Sequence, residues 1–265
     1  MMLHTDKEAA MPDAQNESVL DQFTKQAQSY AALLRDNPSA SLAAMLEIAR
    51  PGPDDRALDV GCGAGALAVA LAQVCREVVG VDLTPAMLDQ ARALQAAKGV
   101  GNVRWETADV TALPFPEASF SLVTSTAMLH HTADPTAVLR EMRRMRAPGG
   151  RIAVADLTPA PEKAPAFDAI ETLRDPSHTH AMPVAELRAI GASLGLVEAG
   201  TRSLNVVLPL ETVLATSFPE AGVLDKVRAI YAADAASGAD ALGMSTHEKD
   251  GRLMLAYPMT LVVWS

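Results

Sequence analysis

The sequence predicts a doubly wound, mostly parallel α/β fold of seven strands, with helices on both faces and helical insertions over the C-terminal edge of the sheet. Three observations carry this. From Arg56 onward, short β-branched runs alternate with longer helical ones, the rhythm of a parallel sheet joined by crossover helices. A glycine-rich turn, Gly61 to Gly65, sits directly between the first such run and the helix after it. The 265 residues are 49% hydrophobic but only 4% aromatic, with much alanine, which suits closely packed helices around one sizeable core.

Residues 1–18 are polar, lack sustained periodicity and read as a flexible tail; 19–265 read as a single domain. Within it, 19–53 are N-terminal helices. Val19, Leu20, Phe23, Ala27, Tyr30, Ala31 and Leu34 recur at spacings of three and four, one buried face of a helix. A second helix starts with Ser39 as N-cap and ends before Pro51, Gly52 and Pro53. The core spans 54–156. Its strands read as Ala57 to Val60, Val78 to Val81, Val103 to Thr107, Phe120 to Thr124 and, after a Gly149-Gly150 turn, Ile152 to Ala155. Its helices read as Ala64 to Cys75, a run capped by Thr84 with Pro85 first and Gly99 at its stop, and Asp134 to Arg146. Residues 157–250 bring a proline-interrupted insertion around Phe167 to Arg174, a helix from Pro183 to Leu194, a strand within Leu196 to Leu208, and a mostly helical Leu210 to Ala241. Residues 251–265 bring the last strand, a β-like stretch from Arg252 to Trp264 interrupted by Pro258.

Thirty-two acidic against 22 basic residues give a formal charge of −10, which argues against a partner held by its phosphates, and hence against nucleic acid. The one basic cluster, Arg140, Arg143, Arg144 and Arg146, reads as a solvated helix face near a C-terminus. Cys62 and Cys75 make no C-x-x-C pair or disulfide framework, no apolar run approaches a membrane span, and no basic-then-apolar leader opens the chain. The expectation is a cytoplasmic protein without membrane insertion; nothing in the sequence sets its oligomeric state.

The strongest local signal is Leu58-Asp59-Val60-Gly61-Cys62-Gly63-Ala64-Gly65 between a strand and a helix. Glycines there let the backbone turn tightly and approach a ligand, while the N–H groups of the helix start face it. Gly61, Gly63 and Ala66 also satisfy G-x-G-x-x-G/A, with Asp82 at the end of the second strand as the acid for ribose hydroxyls, so on glycines alone two cofactor classes compete. Asp59 bears on the choice. Its carboxylate would repel the pyrophosphate of a dinucleotide, whereas S-adenosylmethionine brings a sulfonium and an ammonium. A third acid, Asp109, follows the third strand, placed to accept from an adenine amino group while the Val110 N–H donates to the ring.

These runs, with Val79-Gly80-Val81-Asp82-Leu83-Thr84-Pro85-Ala86-Met87-Leu88, Leu113-Pro114-Phe115, Phe120 to His131 and Ala147-Pro148-Gly149-Gly150-Arg151, resemble the class I S-adenosylmethionine-dependent methyltransferases. The branch is the one that includes the ubiquinone and menaquinone C-methyltransferases. The resemblance covers about Asp54 to Asp156, with five motifs in order. It implies a Rossmann-like sheet, S-adenosylmethionine as cofactor, S-adenosylhomocysteine as product, and a small-molecule acceptor whose accepting atom, carbon, oxygen or nitrogen, stays open. It implies Asp59, Gly61, Gly63 and Gly65 around the methionine part, Asp82 on the ribose, Leu83 and Met87 against adenine, Asp109 and Val110 at its edge, the backbone of Ser125 and Thr126 toward the cofactor's amino group, and Tyr30 closing over the methionine moiety.

Of six histidines, His131, in the His130-His131 pair after the fourth strand, is a candidate cofactor contact or base; His178, in Arg174-Asp175-Pro176-Ser177-His178, is a candidate for touching substrate or taking its proton. No spacing supports a metal site. Gly191-Ala192-Ser193-Leu194-Gly195 matches a hydrolase elbow by letter, but it lies between helix and strand in the wrong order. Two rival readings remain: a nicotinamide-dependent oxidoreductase, weakened because no tyrosine has a lysine four residues on, and a non-catalytic cofactor-binding protein of the same fold.

Overall fold

The structure, a computed structural model, describes residues 14–36 and 40–265. The segment before residue 14 and the Ser39 cap lie outside the described residues. At the centre runs β1 (Arg56–Val60), whose residues Ala57 to Val60 are all buried, as a strand flanked by parallel neighbours requires. β2 (Glu77–Asp82) pairs with it on one side and β4 (Phe120–Thr126) on the other, both parallel. β3 (Val103–Thr107) lies beyond β2, and β5 (Arg146–Leu157) beyond β4. β8 (Arg252–Trp264) runs antiparallel to β5, and β6 (Glu198–Pro209) antiparallel to β8, giving the order β3-β2-β1-β4-β5-β8-β6.

That path holds the seven predicted strands. The described residues add an eighth, β7 (His247–Lys249), a fully exposed three-residue partner of β8 with no apolar alternation to announce it. A second departure is β5. The Gly149-Gly150 pair is not a turn before the strand but an irregularity inside it, where pairing with β4 jumps from Phe120–Arg146 to Leu122–Arg151. A Cβ on Gly150 would come within 2.8 Å of the Ser121 carbonyl, so close backbone approach explains the glycine.

Alternation along the strands sends neighbours to opposite faces. Leu58, Val60, Val79 and Val154 pack under α5 (Pro135–Met145) and α7 (Val184–Ser193), with Trp264 fully buried there. A Cβ on Gly191 of α7 would meet the Trp264 ring at 2.8 Å, and Ser193 spends its hydroxyl on the Ile190 carbonyl, so the G-x-S-x-G run is helix packing. Ala57, Val78, Leu122 and Ala153 face the other layer: α2 (Ala40–Ala49), α3 (Ala66–Ala72), α6 (Ala164–Arg174), α8 (Leu210–Leu214) and α9 (Val223–Ser237). The predicted helix over Leu210 to Ala241 thus splits in two. Of the basic cluster, Arg144 is not merely solvated, because it donates to the Phe115 and Leu113 carbonyls and pairs with Glu141.

α4 (Pro85–Lys98) starts with Pro85 and ends on left-handed Gly99 as expected, but Thr84 caps it by position only, its hydroxyl making no cap bond. α1 (Ala14–Asp36) begins inside the stretch read as tail and packs across α4.

Candidate functional site

The chain leaves β1 toward β2 and leaves β4 toward β5, so the loops after these adjacent strands diverge. Such a switch point leaves a crevice at the strands' C-terminal ends. A cleft of about 1170 Å³ opens there, above the roughly 300–1,000 Å³ of ordinary small-molecule sites, which leaves room for two molecules. Tyr30, Asp59, Gly61, Gly63, Asp82, Leu83, Asp109, Val110, Thr126 and His131 all line it.

The glycine loop is built for three different purposes. Gly61, Gly63 and Gly65 take φ of +67°, +51° and +82°, a region that side-chain-bearing residues avoid. A Cβ on Gly61 would run into Met128 Cγ at 2.3 Å. On Gly63 it would meet nothing nearer than the Tyr30 ring at 4.0 Å, so this glycine presents open backbone to the cleft. On Gly65 it would strike Trp105 at 2.7 Å and Ala91 Cβ at 2.8 Å; Gly65 stands behind the cleft wall and lets α3 pack close to α4 and β3.

Asp82 ties loop to strand: one carboxylate oxygen accepts from the Gly63 N–H at 2.8 Å and the other from the Thr84 N–H at 2.8 Å. Burial raises its pKa despite those bonds. Asp59 is buried at the end of β1, where its carboxyl accepts from Thr124 Oγ1 at 2.9 Å, and burial pushes its pKa up to about 7. Asp109 accepts from Thr111 and, at 2.8 Å, from Asn16 of α1; these bonds outweigh its burial and lower its pKa. Neither Asp59 nor Asp82 has a basic side-chain partner among the described residues, and the buried Thr126 hydroxyl finds no protein partner there. Uncompensated acids around an open glycine backbone fit a cationic, hydrogen-bonding ligand such as S-adenosylmethionine, and fit a pyrophosphate badly.

Four predicted residues are not among those lining the cleft, Ser125 being one whose expected contribution is its backbone. Besides Gly65, Met87 is fully buried with Ala27 and Ala64, beneath Phe23 and Tyr30, where its side chain supports the wall without lining it. Ser125 is fully buried in β4, with its hydroxyl unpartnered among the described residues. His178 does not line the cleft: its Nε2 bonds Asp168 Oδ1 at 2.8 Å, and Asp168 also holds His180.

His130 and His131 lie on a 3-10 turn after β4, with rings 4.2 Å apart. Burial disfavours charge on His130, but the Asp156 carboxylate, 2.5 Å from its Nδ1, outweighs that and raises its pKa. Asp156 also accepts from the Met128 and Leu129 N–H groups, fixing the turn. His131 is driven the opposite way, to about 3, by burial and then by the neighbouring His130 charge. Its ring meets Phe23 edge-on at 4.9 Å, and its Nδ1 lies 3.1 Å from Ser177 Oγ.

Sequence reasoning missed the roof and the floor. Gln15 donates to the His131 and Ser177 carbonyls, and Gln26 to Asp175, so α1 is stitched over the cleft by polar side chains that no periodicity flags. At the far end Glu171 accepts from Tyr231, Tyr257 and Arg174, a buried cluster open to the cleft through Glu171, Arg174 and Tyr257. Asp156 carried one faint signal, an acid ending a strand. No group of three His, Cys, Asp or Glu among the described residues is placed to hold a metal ion.

Comparison with known proteins agrees with this geometry. A family model described as a methyltransferase domain matches residues 58–154. An uncharacterized methyltransferase of Bacillus subtilis is 34% identical over 172 residues, 63% of this chain and 67% of the relative. The crystal structure of that organism's YcgJ protein superposes with a TM-score of 0.76 at 24% identity, over 84% of this chain and 97% of the other, a likeness of fold. A demethylmenaquinone methyltransferase of Thermus thermophilus is 41% identical over 111 residues, 41% of this chain and 50% of the relative; the chain thus spans half the length of that protein.

Proposed function

The chain belongs to the S-adenosylmethionine-dependent methyltransferases, and on that footing we propose that its cleft binds S-adenosylmethionine and carries a methyl group to a small molecule, with S-adenosylhomocysteine as product. The observation that carries this reading is the joint placement of Asp82, the Gly63 backbone and buried Asp59 on one wall of the cleft, with no basic side chain paired to either acid among the described residues.

When bound, the cofactor supplies a methyl carbon already activated for displacement by its sulfonium. The residues of the chain do the holding. Asp82 keeps lone pairs for a ribose diol while its N–H contacts fix the loop, and Asp59 meets the cationic methionine end. Leu83 packs on the adenine, with Asp109 and Val110 at its edge. Tyr30 and Phe23 roof the cleft and keep water out. Alignment of nucleophile and methyl inside such a site is worth roughly 7–11 kcal/mol.

The acceptor end, lined by Phe23, Val206, Val213, Tyr257 and Met259, suits a mainly apolar molecule, and relatives include a protein named for demethylmenaquinone. The net charge of −10 supports a small molecule over nucleic acid. Cys62 and Cys75, both buried free thiols, support a reducing compartment, and no helix of the described residues is long and apolar enough to cross a membrane.

Calorimetric titration with S-adenosylmethionine, S-adenosylhomocysteine, NADH and NADPH tests the reading. Micromolar binding of the first two alone is expected. Binding of the nicotinamides alone overturns it in favour of an oxidoreductase, and cofactor binding without turnover on any acceptor points to the non-catalytic alternative.

A further inference from the structure

In the run Asp175-Pro176-Ser177-His178 it is Asp175, and not the histidine, that lines the cleft, with Ser177 bonded to it. Asp175 and Ser177 are both buried, at 3% and 0% exposure. Asp175 Oδ1 lies 2.6 Å from Ser177 Oγ and 3.0 Å from the Ser177 N–H, and its Oδ2 accepts from Gln26 Nε2 at 2.9 Å. Ser177 Oγ in turn lies 3.1 Å from His131 Nδ1. The backbone is clamped as well: Gln15 of α1 donates to the carbonyls of both His131 and Ser177, and the Thr179 N–H donates to the His130 carbonyl.

The direction of each hydrogen bond follows from proton counting. An ionised carboxylate can only accept, so the single Ser177 hydroxyl proton must point to Asp175. Pointing it at His131 instead would leave two oxygen lone pairs facing each other across 2.6 Å in a buried site, which is costly. With its proton committed, Ser177 Oγ can only accept from the imidazole, and the proton of a neutral His131 then sits on Nδ1. The lone pair falls to Nε2, on a ring that lines the cleft.

We propose that Asp175 and Ser177 are positioning residues that hold His131 as its Nδ1–H tautomer, so that Nε2 accepts the proton of a methyl acceptor whose nucleophilic atom is a hydroxyl oxygen or an N–H nitrogen. The inference rests on the methyltransferase reading for the purpose of the lone pair, but not for the tautomer itself. In the proton step, Nε2 forms a new N–H bond with its lone pair, the electron pair of the old O–H or N–H bond stays on the acceptor, and the Asp175 carboxylate, through Ser177, offsets part of the cost that burial and the His130 charge place on the resulting imidazolium. The base need not be strong, because an oxygen or nitrogen that is being alkylated becomes steadily more acidic. A neutral His131 is what the site requires, since an imidazolium has no lone pair to offer.

The test is long-range ¹H–¹⁵N correlation spectroscopy of the whole protein labelled with ¹⁵N-histidine, His131 being assigned by the signals lost in His131→Gln. The expected wild-type pattern is one protonated Nδ1 and one unprotonated Nε2 through neutral pH. Ser177→Ala removes the hydroxyl that accepts from Nδ1 and is expected to shift the population toward the Nε2–H form or a mixture. A wild-type His131 protonated at Nε2, or a tautomer unchanged in Ser177→Ala, overturns the proposal. The wild-type spectrum alone can do so, even where the variant fails to fold. Titration of the same wild-type sample with S-adenosylmethionine separates the two levels: the predicted tautomer without cofactor binding upholds the relay and removes the methyltransferase reading beneath it.

Discussion

The carboxylate of Asp82 accepts the backbone N–H of Gly63 at 2.8 Å, so the end of β2 and the middle of the glycine loop after β1 form one rigid unit. Two residues 19 apart in sequence are thereby fixed before any ligand arrives. That pre-organisation means cofactor binding need not supply the ordering free energy of the loop.

Asp82→Ala is therefore expected to weaken S-adenosylmethionine binding at least tenfold, since a charge-assisted hydrogen bond is worth about 1.5–3 kcal/mol. Calorimetry measures it, with circular dichroism to verify the fold. Unchanged affinity would remove Asp82 from the ribose.

Asp59 sets a pH dependence. Burial holds its pKa near 7 against an ordinary 3.8, so the folded chain binds the extra proton between those values and stability falls as pH rises through that window. At about 1.4 kcal/mol per pH unit the loss is about 4 kcal/mol at most. A cationic ligand beside Asp59 favours the ionised form. Affinity for S-adenosylmethionine should then climb up to about tenfold per pH unit below 7 and level off above it. Calorimetry at pH 6 in two buffers of different ionisation heat should detect proton release, and Asp59→Asn should abolish both the release and the slope. Proton uptake on binding would contradict the assignment.

The loop glycines give separable effects. Gly65→Ala combines left-handed strain of about 1–2 kcal/mol with overpacking of about 1–3 kcal/mol against Trp105 and Ala91. Its Tm is expected to drop by on the order of 10 °C. Gly63→Ala carries the strain alone, because its added methyl points into open cleft, so its Tm falls less while S-adenosylmethionine binding falls more. A Gly63→Ala protein that binds normally would show that the ligand does not approach this backbone.

The glycine loop, its acids and the parallel strands were legible because each rests on local chemistry: positive φ, strand-end acids, β-branched runs. β3 and β8 have the limits read from sequence. What escaped depends on distant partners. Gln15 and Asn16 looked like tail, yet they reach His131 and Asp109, 116 and 93 residues away. His178 was singled out for its chemistry, but the chain turns it toward Asp168, and Asp175 lines the cleft instead. Gly65 matched a ligand-loop pattern while serving a tryptophan 40 residues on, a contact that no spacing rule encodes.

The floor of the cleft supplies the last prediction. Glu171 is 1% exposed and shares one oxygen among the Tyr231 and Tyr257 hydroxyls, each at 3.1 Å, while both of its oxygens meet the Arg174 guanidinium. Burial disfavours the Glu171 charge, but Arg174 outweighs it and keeps the carboxyl ionised. Glu171→Gln retains an oxygen for both tyrosines but leaves a buried guanidinium without its carboxylate, which should cost about 3–5 kcal/mol in denaturant unfolding. Arg174→Met added to Glu171→Gln removes the stranded charge, so the double variant is expected to recover most of that loss. A double variant no more stable than Glu171→Gln would mean that the cost lies in the tyrosine hydrogen bonds and not in the ion pair. Recovery in the double variant would show that the pair contributes little net stability against apolar replacements, and its place in the cleft lining would then be explained by what it offers a ligand: guanidinium N–H groups and a tyrosine hydroxyl beside apolar side chains.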